Sequence, residues 1–365
     1  MSALNTYQKP NTAIFEDKIS DRLYENTMKI FNTAGNNEVR LSIELFRLLS
    51  KIENISFEVD QYGNFLITKG NAEFYPCFIA HTDTVHTYHN GFNLVVKDGV
   101  LYAYDDKKKQ VGCGGDDRAG VSAIVELLHR LDAMKACLFT GEESGGIGSG
   151  GVDLGFFNDC SFLASIDRWN NCDIVNSYGG YKTISKKFKK LIKPLMTDYG
   201  YKFNSGMFTD CFNLVDRGVE LSAINVSCGY YQHHSQMEHV VLSELQNCVD
   251  FCENLAHAAD NFQFKFEIGR KQYNYLPNGG SRQSCEHLSD ANTRFSWFDD
   301  ELDSPKKENE IYDPSEYKIK GACEDCGEYC DDLLLSDSQW YVCEQCYNYW
   351  KDMYKEDSSD KEYLF

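Results

Sequence analysis

The sequence is poor in positive charge: 36 Lys and Arg stand against 56 Asp and Glu, a net charge of −20 over 365 residues. A field of that sign repels phosphate backbones and anionic headgroups, so neither nucleic acid nor a membrane surface is expected as a partner. No run of 18 apolar residues occurs, and the opening MSALNTYQKPNTAIFEDKIS has no apolar stretch behind a basic start. Membrane spanning and secretion are therefore not expected. Internal repeats are also absent. Of 15 cysteines, the ten between Cys77 and Cys285 follow no framework spacing, as reduced thiols of a cytoplasmic protein would. What the chain does have is 42% hydrophobic and 14% aromatic residues, enough for a packed core.

Residues 1–265 alternate apolar runs of strand length with amphipathic runs of helix length, which predicts an α/β fold with helices on the faces of a mixed sheet. Strands are expected at 57–60, 64–68, 76–80, 135–140, 162–166 and 221–226, and helices at 40–52, 118–131, 184–193 (stopped by Pro194) and 242–258. Asp98-Gly99 between two β-prone segments, 93–97 and 100–104, predicts a two-residue hairpin turn. Between Glu286 and Glu316 ten acidic residues face only Arg294, Lys306 and Lys307, so 266–320 reads as an acidic linker. A cysteine-bearing module at 321–352 and a charged tail at 353–365 follow.

Four short motifs at predicted strand ends carry metal-binding residue types. In AHTDTVH, His81 and Asp83 would share one side of the strand, the imidazole free to ligate and the carboxylate to fix its other nitrogen. A satisfied strand-end histidine is the alternative. GCGGDDRAG places Asp116 and Asp117 at a helix start, where an N-capping pair would also sit. FTGEESGG delivers Glu142 and Glu143 side by side, costly at a buried strand end without a cation or a shared proton. Asp167 ends the strand FLASI, and His233 and His234 fall in a loop after the strand 221–226. All lie where open α/β sheets place their sites.

The order AHTDTV, GGDDRAG, TGEESG, SIDR, HHSQMEH resembles the co-catalytic di-zinc exopeptidases, the group of peptidase T, glutamate carboxypeptidase and the zinc aminopeptidases. The resemblance covers about residues 1–265 and implies a doubly wound sheet. It implies two zinc ions, or cobalt or manganese, bridged by Asp116, with His81 and Asp167 on one and Glu143 and His234 on the other. Glu142 would be the general base and Asp83 the residue orienting His81. His234 is preferred to His233 because Ser235 and Glu238 follow it as in the family, and His86 falls outside the pattern and reads as a pocket-rim or surface residue. The 66 residues between Asp167 and His234 are too few for an inserted lid domain. Asp167, an aspartate where carboxypeptidases often have glutamate, tilts the reading to an aminopeptidase on short peptides. A carboxypeptidase or an amidase is the alternative. Thr209-Asp210 resembles the family's Thr/Ser-Asp and would line the substrate pocket; Thr209 as a helix cap is the competing reading.

The pairs Cys323/Cys326 and Cys343/Cys346, 16 residues apart, have the spacing of a structural four-cysteine zinc site. Cys330 is spare. The acidic and apolar stretch between the pairs suits a protein partner better than DNA. Three rivals remain. Gly146–Gly151 matches a dinucleotide-binding glycine pattern, but two glutamates precede it. The lysines of SKKFKKLIKP could bind a polyanion, although a solvated helix face explains them as well. An inactive peptidase-like adaptor would have lost a ligand or the base, and every position is filled.

Overall fold

The computed structural model describes residues 19–33, 38–87, 92–179 and 181–266, and the backbone of strands at 319–322, 329–335 and 341–343. Contacts divide the chain into two units, Met1–Gln272 and Tyr273–Phe365.

The first unit opens with α1 (Asp21–Phe31), entered at Ser20, whose hydroxyl accepts the Leu23 amide, and α2 (Glu38–Leu49). A hairpin of β1 (Ile55–Val59) and β2 (Phe65–Lys69) leads to the fully buried β3 (Tyr75–His81). Next come β4 (Asn93–Lys97), β5 (Val100–Tyr104), β6 (Gln110–Val111), α3 (Gly115–Arg130), β7 (Met134–Phe139) and the short α4 (Ile147–Gly151). β8 (Cys160–Arg168), β9 (Asp173–Tyr178), β10 (Tyr181–Lys182), α5 (Lys186–Tyr199), β11 (Lys202–Gly206) and α6 (Asp210–Asp216) follow. The unit ends with β12 (Ala223–Ser227), β13 (Tyr230–Tyr231), β14 (His239–Val241) and α7 (Leu242–Ala259).

Nine strands form one mixed sheet in the order β1-β2-β7-β3-β8-β12-β9-β10, with β11 on β9. Its centre, β7-β3-β8-β12, is parallel. Parallel strands need both faces covered, and β3 meets that demand residue by residue. Phe78 and Ala80 enter one core with Leu127 of α3 and Val249 of α7, while Cys77 and Ile79 enter the other with Phe212 and Leu214 of α6. The parallel strands therefore bring His81, the Thr140–Glu143 turn and Asp167 to a common edge. A smaller sheet, β13-β14-β5-β4 with β6 on β5, stands beside it.

Most expected elements occur with ends moved by a few residues. The 93–97 and 100–104 hairpin has its expected bounds, and Asp98 and Gly99 both take positive φ, 52° and 76°, as a type I′ turn requires. The helix expected to stop before Pro194 instead runs through it to Tyr199 and ends at Gly200. Proline removes one helical bond, and burial of Leu195 and Met196 in the turn beyond it offsets that loss. The apolar pattern predicts neither α1, α4 and α6 nor β9 and β11. The nine cysteines whose side chains are described are free thiols, and no helix among the described residues is long and apolar enough to cross a membrane.

In the second unit β15 (Ile319–Ala322), β16 (Tyr329–Leu335) and β17 (Tyr341–Cys343) form an antiparallel sheet. Of the four cysteines expected to hold zinc, Cys323, Cys326 and Cys346 lie outside the described residues, and only the backbone of Cys343 is described. The linker reading of 266–320 also falls almost wholly outside them.

Candidate metal centre

His81 is the last residue of β3, and its ring is buried. Nε2 lies 3.0 Å from Asp116 Oδ1 and 3.7 Å from Asp167 Oδ1. Asp116 presents its other oxygen to the second histidine, with His234 Nε2 3.4 Å from Asp116 Oδ2 and 3.0 Å from Glu143 Oε1. Ligand atoms of His81, Asp116 and Asp167 lie within 4.8 Å of one another, and so do those of Asp116, Glu143 and His234. Asp116 alone belongs to both triplets. Residues spread over the 154 positions from His81 to His234 thus converge around one carboxylate.

Each donor is held by backbone logic. Gly114 at φ +70° turns the chain into α3, and the Asp116–Asp117 peptide is cis. Asp117 is fully buried and belongs to neither donor set. Its Oδ2 accepts from the His81 amide at 3.2 Å and its Oδ1 from the Gly120 amide at 2.9 Å. Gly120 lets α3 lie against β8, for a Cβ there would fall 2.1 Å from the Ile166 carbonyl oxygen. The Asp83 carboxylate sits 3.3 Å from His81 Nδ1 and accepts the amides of Glu142 and Glu143 at 3.0 and 3.1 Å. Asp83 therefore orients the histidine, whose Nδ1 lies 3.1 Å from its main-chain carbonyl oxygen, and both glutamates through its carboxylate.

Burial disfavours a charged ring at His81 and at His234, yet the carboxylates around each outweigh it and hold both pKa values well above the ordinary imidazole range. Burial, opposed by the imidazoles and aided by neighbouring carboxylates, pushes Asp167, Glu143 and above all Glu142 upward. The site thus concentrates more negative charge than its two imidazoles can neutralise. Such a set of nitrogen and carboxylate donors fits two small divalent cations of the zinc, cobalt or manganese type. Each triplet supplies three protein donors and leaves coordination positions for solvent or substrate.

Thr209 occupies the N-cap position of α6 but makes no capping bond. Its hydroxyl donates instead to Asp167 Oδ2 at 3.0 Å. Asp210 is buried beside it with Oδ1 unbonded, and burial pushes its pKa up to about 7. His233 stacks on Trp169 at 6.2 Å and belongs to neither donor set. His86 also belongs to neither donor set, and its side chain is 12% exposed. Its ring packs under Gly112, where a Cβ would fall 2.1 Å from it, and its Nε2 lies 2.9 Å from Glu238 Oε2.

The supporting role of three residues is not read from the sequence, although Glu238 stands in the motif that follows His234. Glu238, fully buried, accepts from the Gly114 amide at 2.6 Å and the Asp116 amide at 3.2 Å, so it holds the segment carrying the shared carboxylate. Asn225 pairs with the backbone of Asp167 in both directions, at 3.0 and 2.6 Å. The Tyr230 hydroxyl donates to Asp167 Oδ1 at 3.3 Å. Asn225 did leave a signal, as the one amide in the apolar run AINVS. The glycine pattern at 146–151 lacks free donors at its entry. The amides of Gly145 and Gly146 bond the Glu142 carbonyl, and those of Ile147 and Gly148 bond Gly141 and Thr140.

Several solved structures share this arrangement of sheet and helices. The aminopeptidase PepT from Bacillus cereus is 14% identical with a TM-score of 0.56, over 66% of this chain and 99% of that one. A tripeptidase from Staphylococcus aureus is 14% identical with a TM-score of 0.53, over 66% and 99%. An aminopeptidase from Desulfurococcus kamchatkensis is 14% identical with a TM-score of 0.51, over 66% and 96%. The chain has the fold of these peptidases. At this identity the likeness concerns fold, a mixed sheet flanked by helices. No protein-family model and no curated protein sequence matches the chain.

Proposed function

We propose that the chain is a metal-dependent aminopeptidase that hydrolyses short peptides. The observation carrying this reading is the sharing of Asp116 between two donor triplets, with Glu142 adjacent in the chain to one of the donors, Glu143. His81 and Asp167 would hold one cation, Glu143 and His234 the other, and Asp116 both. Bound there, the pair would lower the pKa of a water and stabilise negative charge developing on the scissile carbonyl. Glu142, outside both triplets and with a carboxyl raised by burial, accepts a proton from the attacking water and passes it to the departing amine. Asp83 fixes that carboxylate through the Glu142 amide. Thr209 and Tyr230 fix Asp167, and Asp210 lines the substrate side. The peptidase fold of the similar structures supports the hydrolytic class. The aspartate at 167 favours the amino end of the substrate.

The second unit is proposed to hold a structural zinc through Cys323, Cys326, Cys343 and Cys346. In its favour, β15 ends one residue before the first cysteine pair and β17 ends on the first cysteine of the second.

The test is metal-loaded full chain, beside Glu142→Gln, on peptides with free and with blocked N-termini. Wild type should cleave only the free set. The variant should keep its metal and lose about 100-fold or more in turnover. Cleavage of the blocked set would move the reading to a carboxypeptidase or amidase, and an active variant would remove Glu142 from its role.

A further inference from the structure

Large apolar side chains left in water one at a time are unremarkable, but several gathered round a site mark a binding surface. Five exposed ones sit within four residues of a site residue, on four separate segments. Val85 (37% exposed) follows Asp83, Ile147 (55%) follows Glu143, Met207 (57%) and Phe208 (46%) precede Thr209, and Met237 (57%) follows His234. Nothing in the chemistry proposed above uses them.

Two of them touch the turn that carries the glutamates. The Ile147 side chain lies over Gly141, where an added Cβ would fall 3.1 Å from Ile147 Cβ. Phe208 lies against Gly146, where an added Cβ would fall 2.6 Å from Phe208 Cζ. The turn from Gly141 to Gly146 is thus flanked by an isoleucine and a phenylalanine, and both keep about half their surface in water. Their exposure is not forced by lack of a core, since Phe212 and Leu214, a few residues beyond Phe208, are fully buried. The bare glycine backbone beneath leaves these side chains room to stand over the turn that carries the glutamates.

We infer that Phe208 and Ile147, with Met207 beside them, form an apolar wall that receives the side chain of the substrate's N-terminal residue, so that the preferred substrates begin with a large apolar residue such as leucine. The inference rests on the aminopeptidase reading and adds a substrate class to it. A leucine side chain seated there removes its own apolar surface and that of the wall from water. An acidic side chain would lose its hydration against groups that cannot pair with it.

The test compares dipeptides Leu-Gly, Ala-Gly and Glu-Gly with the metal-loaded full chain, and measures calorimetric binding of the same dipeptides to the Glu142→Gln protein. Wild type should favour Leu-Gly over Ala-Gly by at least about 10-fold in kcat/KM, with Glu-Gly poorest, and the binding order should be the same. Phe208→Ser should cut the Leu-to-Ala ratio by about 10-fold. Val39→Ser, at an exposed position of α2, should leave that ratio as in wild type. A ratio unmoved in Phe208→Ser, or an equal loss on all three peptides, overturns the wall. Should wild type cleave none of them, the aminopeptidase reading fails, and the binding order alone then decides the wall: leucine first supports it, no order overturns it.

Discussion

Glu238 offers the sharpest test of how the shared carboxylate is held. Its buried carboxylate accepts from the Gly114 amide at 2.6 Å and the Asp116 amide at 3.2 Å, and its Oε2 lies 2.9 Å from His86 Nε2. Glu238→Gln keeps the shape but turns one acceptor oxygen into a donor. The least damaging orientation leaves the oxygen toward Gly114 and His86 and points the new NH2 at the Asp116 amide. One charge-assisted bond is then lost, worth about 1.5–3 kcal/mol, and two donors face each other, so the variant should be less stable by about 2–4 kcal/mol. Because the amide that loses its partner belongs to Asp116, zinc affinity should also fall, by about 10- to 100-fold. Urea unfolding gives the first quantity and competition with a chromophoric chelator the second. A variant with wild-type stability and wild-type zinc affinity would refute the view that Glu238 holds this segment.

Thr209→Val separates support of Asp167 from helix capping: zinc affinity should fall about 10-fold with little change in stability, whereas a lost cap would cost about 1 kcal/mol and spare the metal. Glu126, buried on α3, receives Arg22 at 2.9 Å and Arg130 at 2.7 Å. Its pKa is depressed below 4.5 because those guanidinium groups outweigh burial, so its stabilisation is complete above pH 4.5 and lost as pH falls through the lowered value. Glu126→Gln should therefore be less stable by about 1–3 kcal/mol near pH 7, and the gap to wild type should close in acid; a gap that widened in acid would reverse the sign of this argument. Gly120→Ala should destabilise by about 1–3 kcal/mol, because its Cβ meets the Ile166 carbonyl, and denaturant unfolding would show it.

Apolar periodicity made the central sheet legible because its parallel strands are buried on both faces and so read as unbroken apolar runs, as in PCFIA and FLASI. The hairpin was legible from two turn residues. Less visible were α1 and α6. The first is an amphipathic helix in an otherwise polar stretch, and the second is a short helix whose N-terminal threonine bonds Asp167 instead of capping. Pro194 misled because a local rule was overridden by the burial of the two residues after it. Within the site, the donors announced themselves as His, Asp and Glu at strand ends. The residues that hold them did not, because Glu238 and Asn225 act on backbone groups far away in the chain. No spacing rule links position 238 to position 114.

The proposed chemistry stands on one carboxylate, that of Asp116, being shared by two cations. An anomalous-difference map from crystals of the full chain grown with zinc tests it most directly. The account predicts two peaks about 3.5–4 Å apart, one beside each oxygen of Asp116. The first should fall between His81 and Asp167, the second between Glu143 and His234. A single peak, or zinc bound without Asp116 between two sites, would contradict it.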